Sequence, residues 1–230
     1  MKNKINRIIE LTERYLLENK KRGKNYIHYS NKKRGKLFLL KELERKIDGC
    51  KRCPLSLTRK NIVFGEGNSS CKLMFIGEAP GFDEDLIGKP FVGKAGILLT
   101  KIIESISLQR KDVYITNVVK CHPLKDPLLI NKRGNDRKPT DDEINTCYPY
   151  LKEQINIIHP KIICTLGNIA TQTLVNTKEN ISILRGKTYI FEKKDIVIIP
   201  TYHPAFLLRN PQMKKETWED MKKIRSLLEG

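Results

Sequence analysis

Residues 77–96 read GEAPGFDEDLIGKPFVGKAG, and this stretch decides the fold class. An apolar run, KLMFI at 72–76, leads into it, and an apolar pattern with helical spacing at 97–106 leads out. A strand, a loop of small residues with clustered acids and one Phe, then a helix is how an open α/β sheet builds a pocket at its strand ends. The small residues let backbone come close to a flat ligand. The acids can orient water, and Phe91 can stack on a ring.

Working outward, the chain from Cys50 onward alternates strand and helix. Short apolar runs predict strands at 73–77, 113–117, 162–166 and 196–200. Helical periodicity predicts helices at 95–105, 141–158, 168–175 and 214–228. Thr140 and Glu143 form a Thr-x-x-Glu box that starts the second of these helices. A Gly-containing turn and KTYIFE at 187–192 predict a hairpin feeding the last strand. Four short apolar strands separated by helices give an α/β fold with a mainly parallel sheet covered on both faces. Residues 1–48 read as a basic helical extension: apolar residues at helical spacing from Ile5 to Leu16, a basic break at 20–36, then a short helix at 37–47. Residues 49–230 read as the functional domain. NKRGNDRK, at 131–138, reads as a solvated loop.

The chain has 230 residues, 44 Lys and Arg against 26 Asp and Glu, and a formal net charge of +18. That excess favours a polyanionic partner, most simply nucleic acid. No apolar run approaches the ~20 residues a membrane span needs. The first 24 residues carry no signal-peptide core, which places the protein in the cytoplasm, where thiols stay reduced. The six cysteines then read as metal ligands plus core thiols rather than three disulfides.

Three of the four strand ends carry a polar signal: Gly77-Glu78-Ala79-Pro80-Gly81, then Asn117, then Tyr202-His203-Pro204. Around a planar base each residue type has work to do. Phe91 offers a stacking face. The carboxamide of Asn117 has both a donor and an acceptor, so it can read a base edge with adjacent C=O and N–H, as uracil has and cytosine lacks. His203 can donate to an oxygen that gains charge as a base leaves. Backbone N–H groups near Ala79 can meet the other carbonyl. Glu78, Asp83, Glu84 and Asp85 supply carboxylates for water or for a cationic sugar.

Cys50 and Cys53 form a CxxC pair, Cys121 follows the second strand, and Cys147 lies in the next helix. Four thiolates suit either a tetrahedral zinc or a [4Fe–4S] cluster. The wide gap and the missing second CxxC argue against a zinc ribbon. Cys71 and Cys164 read as core thiols.

Together, GEAPG with PFVGKAG, YITNVVKC, the CxxC with its two later partners, and YHPAFLLRNP resemble the family-4 uracil-DNA glycosylases, the iron–sulfur branch of their superfamily. The resemblance spans about residues 50–211. It implies a three-layer α/β/α sandwich on a four-stranded sheet, and hydrolysis of the N-glycosidic bond of deoxyuridine in DNA. It moves the metal choice to a structural [4Fe–4S] cluster on Cys50, Cys53, Cys121 and Cys147. It gives uracil to the positions of Glu78, Ala79, Pro80, Phe91, Asn117 and His203. The best-studied branch of the superfamily handles the attacking water with an Asp that is Ala79 here. The role therefore passes to Glu84, with Glu78 shaping the loop, or catalysis rests on stabilising the leaving uracil anion.

The partner would be uracil-containing DNA, single- or double-stranded, met by a monomer with no membrane attachment. Leu208 and Arg209 could fill the space of an extruded nucleotide, and Lys94, Arg185 and Lys187 could meet phosphates. A non-catalytic iron–sulfur nucleic-acid-binding module of the same fold is the alternative. The chain departs from the pattern in its longer N-terminus, in His122-Pro123-Leu124 after the third cysteine, and in an insertion around 128–135. None of these is expected to touch the pocket, though the insertion could alter cluster exposure or DNA contact. His122 reads as structural or phosphate-facing.

Overall fold

The computed structural model describes residues 35–192 and 195–230. The helix expected within the first twenty residues lies outside them. Six strands form one sheet: β1 (Glu66–Gly67), β2 (Leu73–Gly77), β3 (Tyr114–Asn117), β4 (Ile162–Leu166), β5 (Tyr189–Ile190) and β6 (Val197–Thr201), in the order β1-β3-β2-β4-β6-β5. The four anticipated strands are the central ones, β3, β2, β4 and β6, and all pair in parallel. Two short antiparallel strands close the edges, β1 on β3 and β5 on β6, the latter being the expected hairpin.

Alternation along the strands divides the core into two layers. Met74, Ile76, Tyr114, Ile163 and Ile198 face one side, and Leu73, Phe75, Ile115, Ile162, Cys164 and Ile199 the other. The first side is covered by α1 (Lys36–Ile47), α4 (Asp141–Ile158) and α5 (Asn168–Val175). The second is covered by α3 (Lys94–Glu104) and α8 (Lys214–Glu229). This is the three-layer sandwich. Helix α4 begins with the anticipated reciprocal cap: Thr140 Oγ1 accepts from the Glu143 N–H, and a Glu143 carboxylate oxygen accepts from the Thr140 N–H. Helix α1 is packed tightly rather than appended. Its Leu40, Leu43 and Ile47 are buried with Leu151 and Ile155 of α4, and Lys36 donates to the Ile158 carbonyl at 2.6 Å.

Two short helices were not anticipated, α2 (Phe82–Ile87) and α6 (Ile181–Leu184), and a third, α7 (Pro204–Arg209), carries Phe206 and Leu207. Helix α2 converts the expected acidic loop into a turn and a half of helix, ended by Gly88 in the left-handed conformation (φ 78°). Strand β2 sits where the chain order reverses, with β3 on one side and β4 on the other. A crevice at that reversal is where open parallel sheets bind ligands.

Candidate active site and thiol cage

The carboxyl ends of the parallel strands bring the anticipated residues together. Gly77 of β2 is paired with Asn117 of β3, and His203 lies two residues past the end of β6. Asn117 is 1 % exposed, and its Oδ1 is buried with no hydrogen-bond partner. A buried amide oxygen left unpaired costs free energy unless a ligand meets it. The Phe91 and His203 rings lie 5.6 Å apart, tilted by 35°. A side chain on Gly77 would collide with both the Asn117 carboxamide and the Phe91 ring, so only glycine leaves this niche open. The imidazole, carboxamide and phenyl groups therefore lie together beyond the ends of the parallel strands.

Phe91 holds a left-handed backbone (φ 52°), which a non-glycine residue adopts only when its surroundings enforce it. Arg110 enforces it, donating to the Phe91 carbonyl at 3.2 Å and to the Pro90 carbonyl at 3.0 Å while paired with Glu66 at 2.7 Å. Gly96 allows it, since any side chain there would strike the Phe91 backbone. Sequence reading missed this Arg110–Glu66 clamp. The partners lie 44 residues apart, and only the pairing of β1 with β3 shows their closeness.

His203 has a narrow opening to solvent but is otherwise hemmed in by protein. Burial, helped by the charge of Arg209, pulls its pKa down to about 4. Its Nδ1 accepts from the Ala205 N–H at 3.1 Å, capping α7. A neutral imidazole that accepts at Nδ1 carries its proton on Nε2, which is then a donor.

The four acids of the loop separate by use. The sequence reading gives Glu84 the attacking water, but its carboxylate accepts three backbone N–H groups, those of Gly81, Val92 and Gly93. Glu84 therefore ties the two halves of the loop together, which corrects its expected role. Asp85 is buried and accepts from the Lys60 and Asn61 N–H groups. Asp83 pairs with Arg133 at 2.7 Å. Glu78 remains. Its carboxyl is half-buried, burial raises its pKa, and Lys138 draws it back.

Among the residues assigned to DNA, Lys94, Lys187, Leu208 and Arg209 are exposed. Arg185 is not available to a phosphate. It forms a two-pronged pair with buried Asp220 (3.0 and 3.2 Å) and also donates to the Glu216 carbonyl. Its role is internal, because Asp220 would otherwise be a buried, unpaired charge. Phe206 stacks on Tyr202 at 5.1 Å and Leu207 is buried, so both pack the fold.

Cys50, Cys53, Cys121 and Cys147 line one enclosed cavity beside β3, together with Arg59, Lys120, Thr146 and Tyr150. Among the described residues no three His, Cys, Asp or Glu side chains converge as a single-ion site. Three groups point at the sulfurs: the Arg59 guanidinium at 3.6 Å from Cys121, the Lys120 N–H at 3.3 Å from Cys147, and the Tyr150 hydroxyl at 3.8 Å from Cys50. Such donors orient and stabilise thiolate ligands. Cys71 and Cys164 are buried in the two core layers, as read.

Lys120 is the second residue that sequence reading missed. It is fully buried, and its Nζ donates to Thr116 Oγ1, the Asn117 carbonyl and Gln154 Oε1 at 2.6–2.7 Å. Burial brings its pKa down to about 7. A lysine between two valines and a cysteine, directly after a strand, was the available signal. The third miss is the insertion, which does reach the pocket rim. Arg133 pairs with Asp83 and lies 4.7 Å over the Phe82 ring, and Asp136 sits beside Gly81 and pairs with buried His122 at 2.6 Å. His122 is therefore structural.

The uracil DNA glycosylase superfamily matches residues 64–222. A type-4 uracil-DNA glycosylase of Saccharolobus solfataricus is 49% identical over 78% of this chain and 82% of its own length. The type-4 enzyme of Sulfurisphaera tokodaii is 47% identical over 82% of this chain and 84% of its own. That of Archaeoglobus fulgidus is 43% identical over 82% and 92%. On the superfamily match and these relatives, each covered over most of its length, this chain belongs to the type-4 uracil-DNA glycosylases.

Proposed function

We infer that the protein excises uracil from DNA by hydrolysing the N-glycosidic bond of deoxyuridine, leaving an abasic site and initiating base excision repair. The observation that carries this is the buried, unpartnered Oδ1 of Asn117 in a niche kept open by Gly77. Uracil N3–H satisfies that oxygen, and the carboxamide NH₂ then meets O4. Cytosine has an acceptor at N3 and a donor at C4, so it would set like against like.

The target must leave the stack to enter, at a cost of a few kcal/mol. Phe91 then lies against the ring. Ala79 and Pro80 border it, with backbone N–H groups of the loop near the second carbonyl. As the bond from C1′ to N1 breaks, its electron pair moves onto uracil and charge grows on O2. The neutral His203, donating from Nε2, is suited to meet that oxygen. Water adds its oxygen to the cationic C1′ and gives up a proton. We assign the orientation of that water to Glu78, because Glu84 is occupied by backbone N–H groups.

We assign a [4Fe–4S] cluster to the four cysteines, whose four thiolates around one cavity supply the ligand set such a cluster takes. When bound, the cluster would supply structural cross-linking between the 50–53 segment, the end of β3 and α4. Lys94, Lys187 and Arg209 are assigned to phosphates, and Leu208 to the vacated stack. We read the glycosylase domain as taking in α1 from the 1–48 segment, since Leu40, Leu43 and Ile47 lie in its core, and the enzyme as a cytoplasmic monomer. Among the described residues, no helix is long and apolar enough to cross a membrane.

The test is incubation with a uracil-containing oligonucleotide followed by alkaline cleavage at abasic sites. Strand scission at uracil, and none with cytosine or thymine in its place, is expected. Intact strands with the metal-loaded protein would sink the reading.

A further inference from the structure

The insertion presents three apolar side chains to solvent. Leu128 is 90% exposed, Leu129 42% and Ile130 38%. A solvated loop has no need of three consecutive large apolar residues, and exposing them is unfavourable unless something covers them. Their support is rigid. The Asn135 amide donates to the Asp126 and Leu129 carbonyls, and Asn135 Oδ1 accepts from the Asp126 N–H. Arg137 forms a two-pronged pair with Glu143 at the start of α4. Arg133 anchors the insertion to Asp83 of α2, and Asp136, just beyond it, pairs with buried His122. Lys125 and Lys132 flank the three in sequence and are exposed.

An apolar tip flanked in sequence by two exposed lysines, on an insertion tied to α2, fits one partner in particular. Phosphates meet the cations, and the apolar side chains gain by entering a base step opened by extrusion. We propose that the insertion is a second wedge, in which Leu128, Leu129 and Ile130 press into duplex DNA next to the extruded uridine. It favours removal of uracil from paired rather than single-stranded DNA. The proposal rests on the uracil-excision reading. A single strand has little stacking to break, so the wedge contributes there only weakly.

The test compares the wild type with a Leu128→Ser/Ile130→Ser double variant and with Leu128→Ser alone, whose side chain is the most exposed. Uracil oligonucleotides are supplied single-stranded and as duplexes, with 2-aminopurine beside the uracil to report unstacking. The double variant is expected to lose about tenfold in duplex affinity and in single-turnover rate on duplex, with a smaller 2-aminopurine signal. Leu128→Ser is expected to lose about threefold, and single-strand rates to stay within about twofold for both. Duplex values matching the wild type would overturn the proposal. So would equal losses on both substrates, which would mark a general defect. If the wild type released no uracil from either substrate, the excision reading would fail by itself, and duplex affinity with the 2-aminopurine signal would still decide the wedge.

Discussion

At the end of β3 the chain serves two sites within five residues. Asn117 opens into a hollow defined by what is missing: a side chain at Gly77 and a partner for an amide oxygen. Cys121 opens into a cavity defined by what surrounds it, four sulfurs with an Arg, a backbone N–H and a Tyr hydroxyl directed at them. The first needs precise emptiness and the second needs ligand atoms. The difference predicts different failures: a damaged niche should lose turnover while the protein stays folded, and a damaged cage should lose stability first.

The largest effect is expected from Asn117→Ala. Removing the edge reader should lower kcat/KM on uracil DNA by about a thousandfold, with thermal unfolding little changed. A loss of less than tenfold would break the comparison on the niche side. His203→Ala should cost about a hundred- to a thousandfold, the usual effect of removing one donor to a developing oxyanion.

The low pKa of His203 carries a pH signature. Its folded value of about 4 lies below the ordinary value of 6.5, so between those limits the unfolded chain holds a proton that the native protein does not. The stability it contributes is complete above pH 6.5 and falls progressively as pH drops towards 4. Tm measured over that range should decline more steeply for the wild type than for His203→Gln. The rate should show no inflection from His203 between pH 6 and 9.

On the cage side, Cys121→Ala should abolish the brown absorbance of the metal-loaded protein and depress Tm. The fraction that remains folded should keep its rate to within about tenfold, since no sulfur lies in the base niche. Arg110→Ala sharpens the same contrast. With the Phe91 turn released, KM should rise by about tenfold while the absorbance is untouched, and Arg110→Lys should rescue poorly because one ammonium cannot serve Glu66 and two carbonyls in a plane. The smallest effects belong to the exposed cations. Lys187→Ala should reduce the salt slope of DNA binding by about 1. Arg185→Ala should leave that slope alone and lower Tm, because Asp220 is left buried without its partner.

The framework was legible because it is written in local periodicity. The four central strands, helices α4 and α5, and the Thr140 cap fall within a residue of where apolar spacing put them. Asn117 and His203 drew notice because each stands at or just past a strand end, where a parallel sheet gathers its ligand contacts, and Phe91 because it closes the small-residue loop between β2 and α3. The misreadings share one cause: a charged side chain does not announce its partner. Glu84 and Asp83 are neighbours in one acidic run, yet one braces backbone and the other grips the insertion. Arg185 reads as a surface cation until Asp220, 35 residues on, is seen to claim it. Lys120 reads as one more lysine in a basic chain, and only the fold shows it enclosed by three oxygens.

Val118, Val119 and Lys120 are all that lie between the base reader and the third cysteine, and all three are buried to within a percent. Lys120 grips the carbonyl of Asn117 with its side chain while its own N–H faces the Cys147 sulfur. A segment so short and so fully enclosed has no slack. The placing of the carboxamide along the sheet edge is therefore tied to the same three buried residues that place the third cysteine.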